Sequence, residues 1–263
     1  MRPPAMSMLY SRASHSPMRT LVITPCSAKK RGDTAHPASV TDLANSEHRR
    51  QAETQLAALT CPAAEMHTGR HHCLVMGGLQ AVWEKCGRGT IDLLILSAGH
   101  GLLDAEDVII PYDVSSDQFD QKSLGSQAVY PQIPERATAL VRPYDLVFYL
   151  LSGRYLEMLG LPLQVPKEMQ QIVLTDRESL ALVPPLSNLH PVVAAGNEAA
   201  QRWHVKAAHV CGFLFGRLCG QVAHHGPAVL EWLQHHPQDT ELLFYKQTRW
   251  RPQWSLWERR REL

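Results

Sequence analysis

The sequence predicts an α/β fold in which helices sandwich a mostly parallel sheet of roughly four strands, followed by a helical C-terminal extension. Four apolar runs carry this prediction, because each has the length of a strand and contains β-branched or aromatic residues. They occupy residues 21–24, 93–96, 146–151 and 172–175. Helix-compatible stretches such as EHRRQAETQLAAL and GGLQAVWEKC lie between them. Uninterrupted apolar strands are typical of parallel sheets that are covered on both faces.

Composition divides the chain into four parts. Residues 1–18 are rich in Pro, Ser, Met and Arg and lack a hydrophobic period, which predicts a disordered basic N-terminus. Residues 19–180 form the predicted α/β catalytic domain, and residues 181–248 form a helical extension packed on it. Residues 249–263, RWRPQWSLWERRREL, form a basic Trp/Arg tail.

The extension begins with a Pro-rich connector, LVPPLSNLHP. The stretch NEAAQRWHVKAAHVCGFLFGRLCGQVAHH follows, and its apolar stripe predicts one long helix. Gly226 and Pro227 are expected to end that helix, and PAVLEWLQHH is expected to begin another.

Composition also limits the class of protein. With 44% hydrophobic and 19% charged residues, the chain is globular. The sequence has no run of about 18 apolar residues and no signal-peptide pattern, so we expect a cytoplasmic protein without membrane contact. Its six cysteines lack CxxC spacing, and the adjacent His71 and His72 would point in different directions on a helix. We therefore expect no metal site, no disulfide scaffold and no organic cofactor.

The net charge of +1 hides an asymmetry between the ends and the body of the chain. Residues 1–50 hold eight Lys or Arg against three Asp or Glu, and residues 249–263 hold five against two, so the body is acidic. Basic ends can follow a polyanion such as DNA, and they can equally be solvated tails. Arg249 and Arg251 are the candidate DNA contacts in the tail, where tryptophans can stack on unpaired bases.

Small and polar residues directly follow each apolar run. In an open parallel sheet, ligands bind outside the carboxyl ends of the strands, so these four turns are expected to line one site. Cys26 and Ser27 follow the first run, and Ser97 and His100 follow the second. The candidate phosphate-binding cations in the turns are Lys29, Lys30 and Arg154.

Two acids and an amide are candidates for chemistry at this site. Asp42 and Asn45 precede a helical run, where such residues most often cap the helix. Their alternative role is to position a water molecule. Asp113 follows Pro111 and Tyr112, and it is either a turn residue or a catalytic carboxylate. Both alternatives stay open for each residue.

The motifs PCSAKK, DLANS, LSAGHGLL and IPYD together resemble a bacterial and phage family with the patterns C-S-x-K-K, D/E-L-Y-x-S and L-S-A-K-Y-G-L-L ending in P-Y-D. The resemblance covers residues 21–155 approximately. This family is similar to the uracil-DNA glycosylases, which implies their α/β fold, and a member removes glucosylated hydroxymethylcytosine from phage DNA. Gly99 and His100 replace Lys-Tyr of the pattern and Ala44 replaces Tyr, and both exchanges are expected to enlarge a pocket or alter its polarity.

The resemblance implies a DNA glycosylase that excises a modified base in defence against phage. Asp42 or Asp113 would stabilise the oxocarbenium-like sugar, while one of them or Asn45 positions the water. Tyr112 would stack on the extruded base, and His100 would donate a hydrogen bond to it as it leaves. The implied base-binding residues are Cys26, Ser27, Ser97, His100 and Tyr112.

Two other functions compete with this one. The first alternative is a non-catalytic nucleic-acid or nucleobase-binding module of a base-modification system, which would bind DNA but release no base. The second is a nucleotide-dependent transferase, which is disfavoured because the sequence has no glycine-rich phosphate fingerprint.

Truncation at Lys246 tests the role of the tail. Its five arginines supply phosphate contacts, and each neutralised phosphate adds about 0.9 to the slope of log affinity against log salt. Truncation should therefore weaken DNA binding and flatten its salt dependence, while turnover at saturating DNA stays nearly unchanged. An unchanged salt slope with a melting temperature lowered by several degrees would show instead that the tryptophans pack on the core.

Overall fold

The computed structural model describes residues 18–32, 36–114 and 132–245. Within these residues, helices flank a six-stranded, mostly parallel sheet, which confirms the α/β class predicted from the sequence. The expected disordered N-terminus up to residue 17 and the tail that contains Arg249 and Arg251 lie outside the described residues.

The strands, in chain order, are β1 Thr20–Pro25, β2 Cys61–Pro62, β3 Asp92–Ser97, β4 Gly101–Asp104, β5 Val108–Ile109, β6 Leu146–Tyr149, β7 Gln170–Asp176 and β8 Leu189–Ala195. The central sheet has the order β4-β3-β1-β6-β7-β8. Its neighbouring strands pair in parallel, except that β4 runs antiparallel to β3. β2 and β5 form a separate antiparallel pair.

The helices, in chain order, are α1 Val40–Ala44, α2 Ser46–Gln55, α3 Ala63–Met66, α4 Arg70–Cys86, α5 Ile133–Val141, α6 Arg154–Leu159, α7 Asn197–Trp203, α8 Val210–His225, α9 Ala228–His235 and α10 Thr240–Tyr245. None of these helices combines the length and the apolar character that crossing a bilayer requires, as far as the described residues go.

The four apolar runs of the sequence form β1, β3, β6 and β7, as predicted, but the sheet has two more strands. β4 begins at Gly101, whose φ of 73° turns this short strand back beside β3. β8 contains Pro191, a residue that indicates a connector rather than a strand. Because β8 is an edge strand, the sheet tolerates the missing N–H of this proline.

The chain beyond residue 180 differs from the expected helical extension. β8 pairs with β7, so the expected domain boundary falls between two strands of one sheet. The predicted long helix is two helices, α7 and α8, because His204 takes the left-handed conformation (φ 51°) at the end of α7. Gly226, with a φ of 82°, ends α8 as predicted.

Glycines allow α4 and α8 to pack closely. A Cβ atom on Gly78 of α4 would lie 2.9 Å from Cα of Gly216 in α8 and 3.2 Å from Sγ of Cys219. A Cβ atom on Gly212 of α8 would lie 2.8 Å from the carbonyl oxygen of His71. The missing side chains therefore set the separation of the two helices, and with it the position of the amino end of α4.

Gly78→Ala should destabilise the protein, whereas Gly77→Ala should stabilise it. The methyl group at residue 78 must displace α8, and overpacking of this kind costs about 1–3 kcal/mol. An added Cβ on Gly77, in the same helix, has nothing within 4 Å, and replacing an open helical glycine by alanine gains about 0.5–1 kcal/mol. Urea unfolding measures both changes in free energy. A more stable Gly78→Ala variant would contradict the close packing of the helices.

Candidate functional site

The direction in which strands are added to the sheet reverses at β1. The chain places β3 on one side of β1 and then returns to place β6 on the other side. At such a switch point the connections that leave β1 and β6 run in opposite directions, and a crevice forms outside the carboxyl ends of these two strands. The protein has a cleft of about 830 Å³ there, which lies within the size range of ligand pockets.

Four strand ends line the cleft, together with the first residues of α4 and α8. The strand ends contribute residues 25–29 at β1, 150–152 at β6, 176–178 at β7 and 195–197 at β8. The sequence predicted the first three. The turn after β3, residues 97–100, was also expected to line the site but is not among the described residues that line the cleft. The end of β8, which was not predicted, lines the cleft as the fourth strand end.

Cys26 and Ser27 lie in the cleft, as predicted from their position after β1. The N–H of Ala98 donates to Sγ of Cys26 (3.4 Å), and the hydroxyl of Tyr155 lies 3.1 Å from the same sulfur. The hydroxyl of Ser27 accepts the N–H of Gly69 at 3.1 Å. The turn after β1 is thereby tied to the turn after β3, to α6 and to the start of α4.

A polar cluster adjoins Cys26. His67, Ser97 and Tyr112 in it are buried, and Lys30 and His100 are half-buried. The hydroxyl of Tyr112 lies 2.6 Å from Oγ of Ser97, and this Oγ also accepts the N–H groups of Gly99 and His100. The LSAGHGLL and IPYD motifs therefore form one hydrogen-bonded unit that fixes the turn after β3.

His67 joins this cluster to the turn after β1. The N–H of Ser27 donates to Nδ1 of His67 (3.3 Å), so the ring proton resides on Nε2, which lies 3.5 Å from the hydroxyl of Tyr112. Burial, reinforced by His72 and Lys30, holds the pKa of His67 well below its usual 6.5. His67 is thus a neutral hydrogen-bond donor inside the cluster.

The ring of Tyr112 is enclosed by its neighbours. Nζ of Lys30 lies 4.1 Å from the ring centroid, and His100 packs edge-on with 4.8 Å between centroids. Burial lowers the pKa of Lys30, against the opposing influence of Cys26 and Asp113. Because Tyr112 is only 1% exposed, the base-stacking role expected for it would require Lys30 to move aside.

Asp42 and Asn45 cap helices, which is one of the two alternatives that the sequence left open. Asp42 forms a capping box with Ser39 at the start of α1, and the hydrogen bonds from Ser39 lower the pKa of its carboxyl group. Oδ1 of Asn45 accepts the N–H groups of Glu47 and His48 at the start of α2. Neither residue is among the described residues that line the cleft.

Asp113 is exposed beside the polar cluster, and its N–H donates to the carbonyl oxygen of Ala38 (2.9 Å). It does not belong to the described lining of the cleft, and neither does Arg154, the first residue of α6. The roles that stay predictions are catalysis by Asp42, Asn45 and Asp113 and DNA contact by Arg154, Arg249 and Arg251.

Asp176 ends β7 inside the cleft, in a turn that was expected to line the site, but it was not selected as a site residue from the sequence. Its Oδ1 accepts the N–H of Ser179 (2.7 Å), and Oγ of Ser179 accepts the N–H of Gly153 (2.7 Å). Burial, together with the charge of Asp176, raises the pKa of Cys211 to about 12, so this carboxylate and thiol are neighbours. The expectation that ligands bind at the carboxyl ends of the strands could have identified Asp176 as a site residue, because it is the first charged residue after the fourth apolar run.

Tyr155 and His71 line the cleft as well, although neither was selected as a site residue. Tyr155 follows the third apolar run, so the same expectation about strand ends could have identified it as a site residue. His71 lies in the first turn of α4, and burial lowers its pKa to about 4, so its ring is neutral near pH 7. Only the packing of α4 on α8 brings His71 to the cleft.

No three His, Cys, Asp or Glu side chains in the described parts of the chain are grouped to hold a metal ion.

Comparison of the chain with protein-family models and with curated proteins finds no match. The function is therefore inferred from the geometry of the cleft and from the motifs that the cleft and the polar cluster contain.

Acid should destabilise the protein through His71 and His100. Burial, the largest cause in both, lowers their pKa values from 6.5 to about 4. The unfolded state then binds more protons below pH 6.5, so stability is lost as pH falls from about 6.5 to about 4, by at most about 3 kcal/mol for each histidine. Urea unfolding across this pH range measures the loss. It should be smaller in His100→Gln, and an identical pH dependence would contradict the assignment.

Proposed function

We propose that the chain hydrolyses the N-glycosidic bond of a modified base in DNA. One observation carries the proposal: the carboxylate of Asp176 lies in a cleft of about 830 Å³ at the switch point of the sheet, together with the aromatic hydroxyl of Tyr155. Ligand pockets span about 300–1,000 Å³, so the cleft has room for an extruded nucleotide whose base carries a substituent. The motif resemblance to a uracil-DNA-glycosylase-like family supports the same reaction.

Asp176 is the carboxylate best placed for this chemistry. Cleavage of the N-glycosidic bond gives the sugar oxocarbenium character, and a fixed negative charge stabilises it. The N–H of Ser179 holds Oδ1 of Asp176, and the second carboxylate oxygen can orient the attacking water. Asp176 thereby takes the role that the sequence assigned to Asp42 or Asp113.

Tyr155 and Cys26 are the groups that fit recognition of the base. Enzymes that extrude a base stack it on an aromatic ring and read its edge by hydrogen bonds. The half-buried ring of Tyr155 offers such a surface, and its hydroxyl lies 3.1 Å from the thiol of Cys26. Tyr112 then supports Cys26 from the polar cluster, His100 packs on the ring of Tyr112, and neither touches the base.

Base release tests the proposal. The chain is incubated with phage DNA that contains glucosylated hydroxymethylcytosine, and DNA of the same sequence with unmodified cytosine serves as control. Mass spectrometry of the small-molecule fraction should detect the free modified base, and the strand should gain abasic sites. Binding of the modified DNA without release would contradict the proposal and favour the non-catalytic binding module.

Asp176→Asn should lower base release by about 100-fold or more while DNA binding is nearly retained, because only the charge that faces the sugar is lost. Glu168→Gln is the matched control, since this exposed acid precedes β7 at the opposite edge of the sheet, and it should keep full activity. Asp42→Asn and Asp113→Asn complete the series. If one of these two lowers release and Asp176→Asn does not, the carboxylate role belongs to the residue predicted from the sequence.

A further inference from the structure

The two side chains proposed to act on the sugar and on the base lie at neighbouring strand ends. Asp176 ends β7, and Tyr155 lies in the first turn of α6, which follows β6. β6 and β7 pair in parallel, but their last residues in register are Tyr149 and Val173. The pairing of the two strands therefore ends before the chain reaches the cleft. A reaction that uses both groups needs their separation fixed, because a misplaced catalytic group costs rate.

The pairing of β7 with its other neighbour is irregular at Asp176. Thr175 pairs with Val193 of β8, whereas Asp176 pairs with Ala195, so the register shifts by one residue of β8 between these two pairs. Irregularities of this kind redirect a side chain and are frequent beside active sites. The regular strand pairing therefore does not by itself fix the direction of the Asp176 carboxylate.

Ser179 bridges the ends of β7 and β6. It lies in the short 3₁₀ turn Glu178–Leu182 and is only 4% exposed. Its N–H donates to Oδ1 of Asp176 (2.7 Å), and its Oγ accepts the N–H of Gly153 (2.7 Å). A hydrogen bond that is shielded from water is electrostatically stronger than the same bond in water. One buried residue thus contacts the proposed catalytic carboxylate on one side and the turn after β6 on the other.

The bridge reaches Tyr155 through Gly153. Gly153 is the N-cap residue of α6 and has no side chain of its own to hold this end of the helix. Oγ of Ser179 therefore fixes the start of α6 from outside the helix. The hydroxyl of Tyr155, two residues further along, lies 3.1 Å from Sγ of Cys26. The aromatic side chain is thus held at one end by the bridge and at the other by the turn after β1.

We propose that Ser179 is a positioning residue, which holds Asp176 and Tyr155 at the separation that cleavage of the N-glycosidic bond requires. Its N–H orients the carboxylate through Oδ1 and leaves the second oxygen to orient the attacking water, while its hydroxyl fixes the helix that carries the aromatic ring. The effect of Ser179 on base release rests on the proposed function, whereas the bridge between the two strand ends does not.

Ser179→Ala tests the positioning role. The variant keeps the main-chain N–H that donates to Asp176 and loses only the oxygen that accepts from Gly153. Base release at saturating modified DNA should fall about tenfold, because a small displacement of a catalytic group lowers the rate steeply. The dissociation constant for DNA should stay nearly unchanged. Full base release by Ser179→Ala would overturn the proposal.

A double-mutant cycle separates positioning from a general effect on the fold. Asp176→Asn removes the charge that Ser179 positions, so the addition of Ser179→Ala to this variant should cause little further loss of release. Two independent structural effects would instead multiply. The same fold loss in both backgrounds would therefore overturn the proposal. Melting temperatures of the same samples ensure that folded proteins are compared.

Thr175→Val is the matched control for the loss of a buried hydroxyl at this strand end. Thr175 is buried in β7, and its Oγ1 has no hydrogen-bond partner among the described residues. The substitution should leave base release unchanged. A loss equal to that of Ser179→Ala would show that the effect is not specific to the bridge, and it would overturn the role of Ser179.

Amide hydrogen exchange tests the bridge independently of the reaction. The amide of Gly153 should exchange about tenfold faster in Ser179→Ala than in the unchanged chain, because its acceptor is lost. The amide of Leu150, which donates to Ile23 in the same turn (2.9 Å), should keep its rate. Equal rates for Gly153 in both proteins would overturn the proposal. Faster exchange in a chain that releases no base would support the bridge and contradict the proposed function.

Discussion

β1 pairs in parallel with β3 on one side and with β6 on the other, and the position of every group in the cleft depends on this central place. Main-chain hydrogen bonds continue the pairing past the strand itself, since the N–H of Cys26 donates to Leu96 and the N–H of Leu150 donates to Ile23, each at 2.9 Å. The three turns are therefore held side by side until they diverge. The turns after β1 and β6 line the cleft, and Cys26 belongs to this lining.

Of the motifs that carry the family resemblance, only PCSAKK lies in the described lining of this cleft. Gly99 shows this most directly, because it stands where the family pattern has a lysine and was expected to enlarge a pocket. A Cβ on Gly99 would lie 2.7 Å from Leu43 and 2.9 Å from the ring of Tyr112. The space is thus filled by α1 and by Tyr112. The exchange therefore makes the packing around Ser97 closer, and the shape of the cleft depends on the strand ends instead.

Local sequence patterns predicted the strands and the strand-end residues, because these features depend only on residues that are close together in the chain. The apolar runs located β1, β3, β6 and β7, and the position of Cys26 and Ser27 after the first run placed both in the cleft, because both features follow from short stretches. β8 was not predicted because Pro191 indicates a connector. Only the strand order of the sheet shows that β8 is an edge strand, where a proline is tolerated. His71 was missed as a site residue for a related reason, since it reaches the cleft through the packing of glycines in two helices far apart in sequence.

Charge and hydrogen bonding are separated in the site. The cations Lys29 and Arg177 are exposed, where water reduces the cost of their charge, whereas the buried imidazoles of His67 and His71 are neutral. A buried charge without a partner would be strongly unfavourable, but a neutral imidazole provides a directional donor or acceptor at a smaller desolvation cost. The same burial makes the protein sensitive to acid, because it disfavours the charged form of both rings.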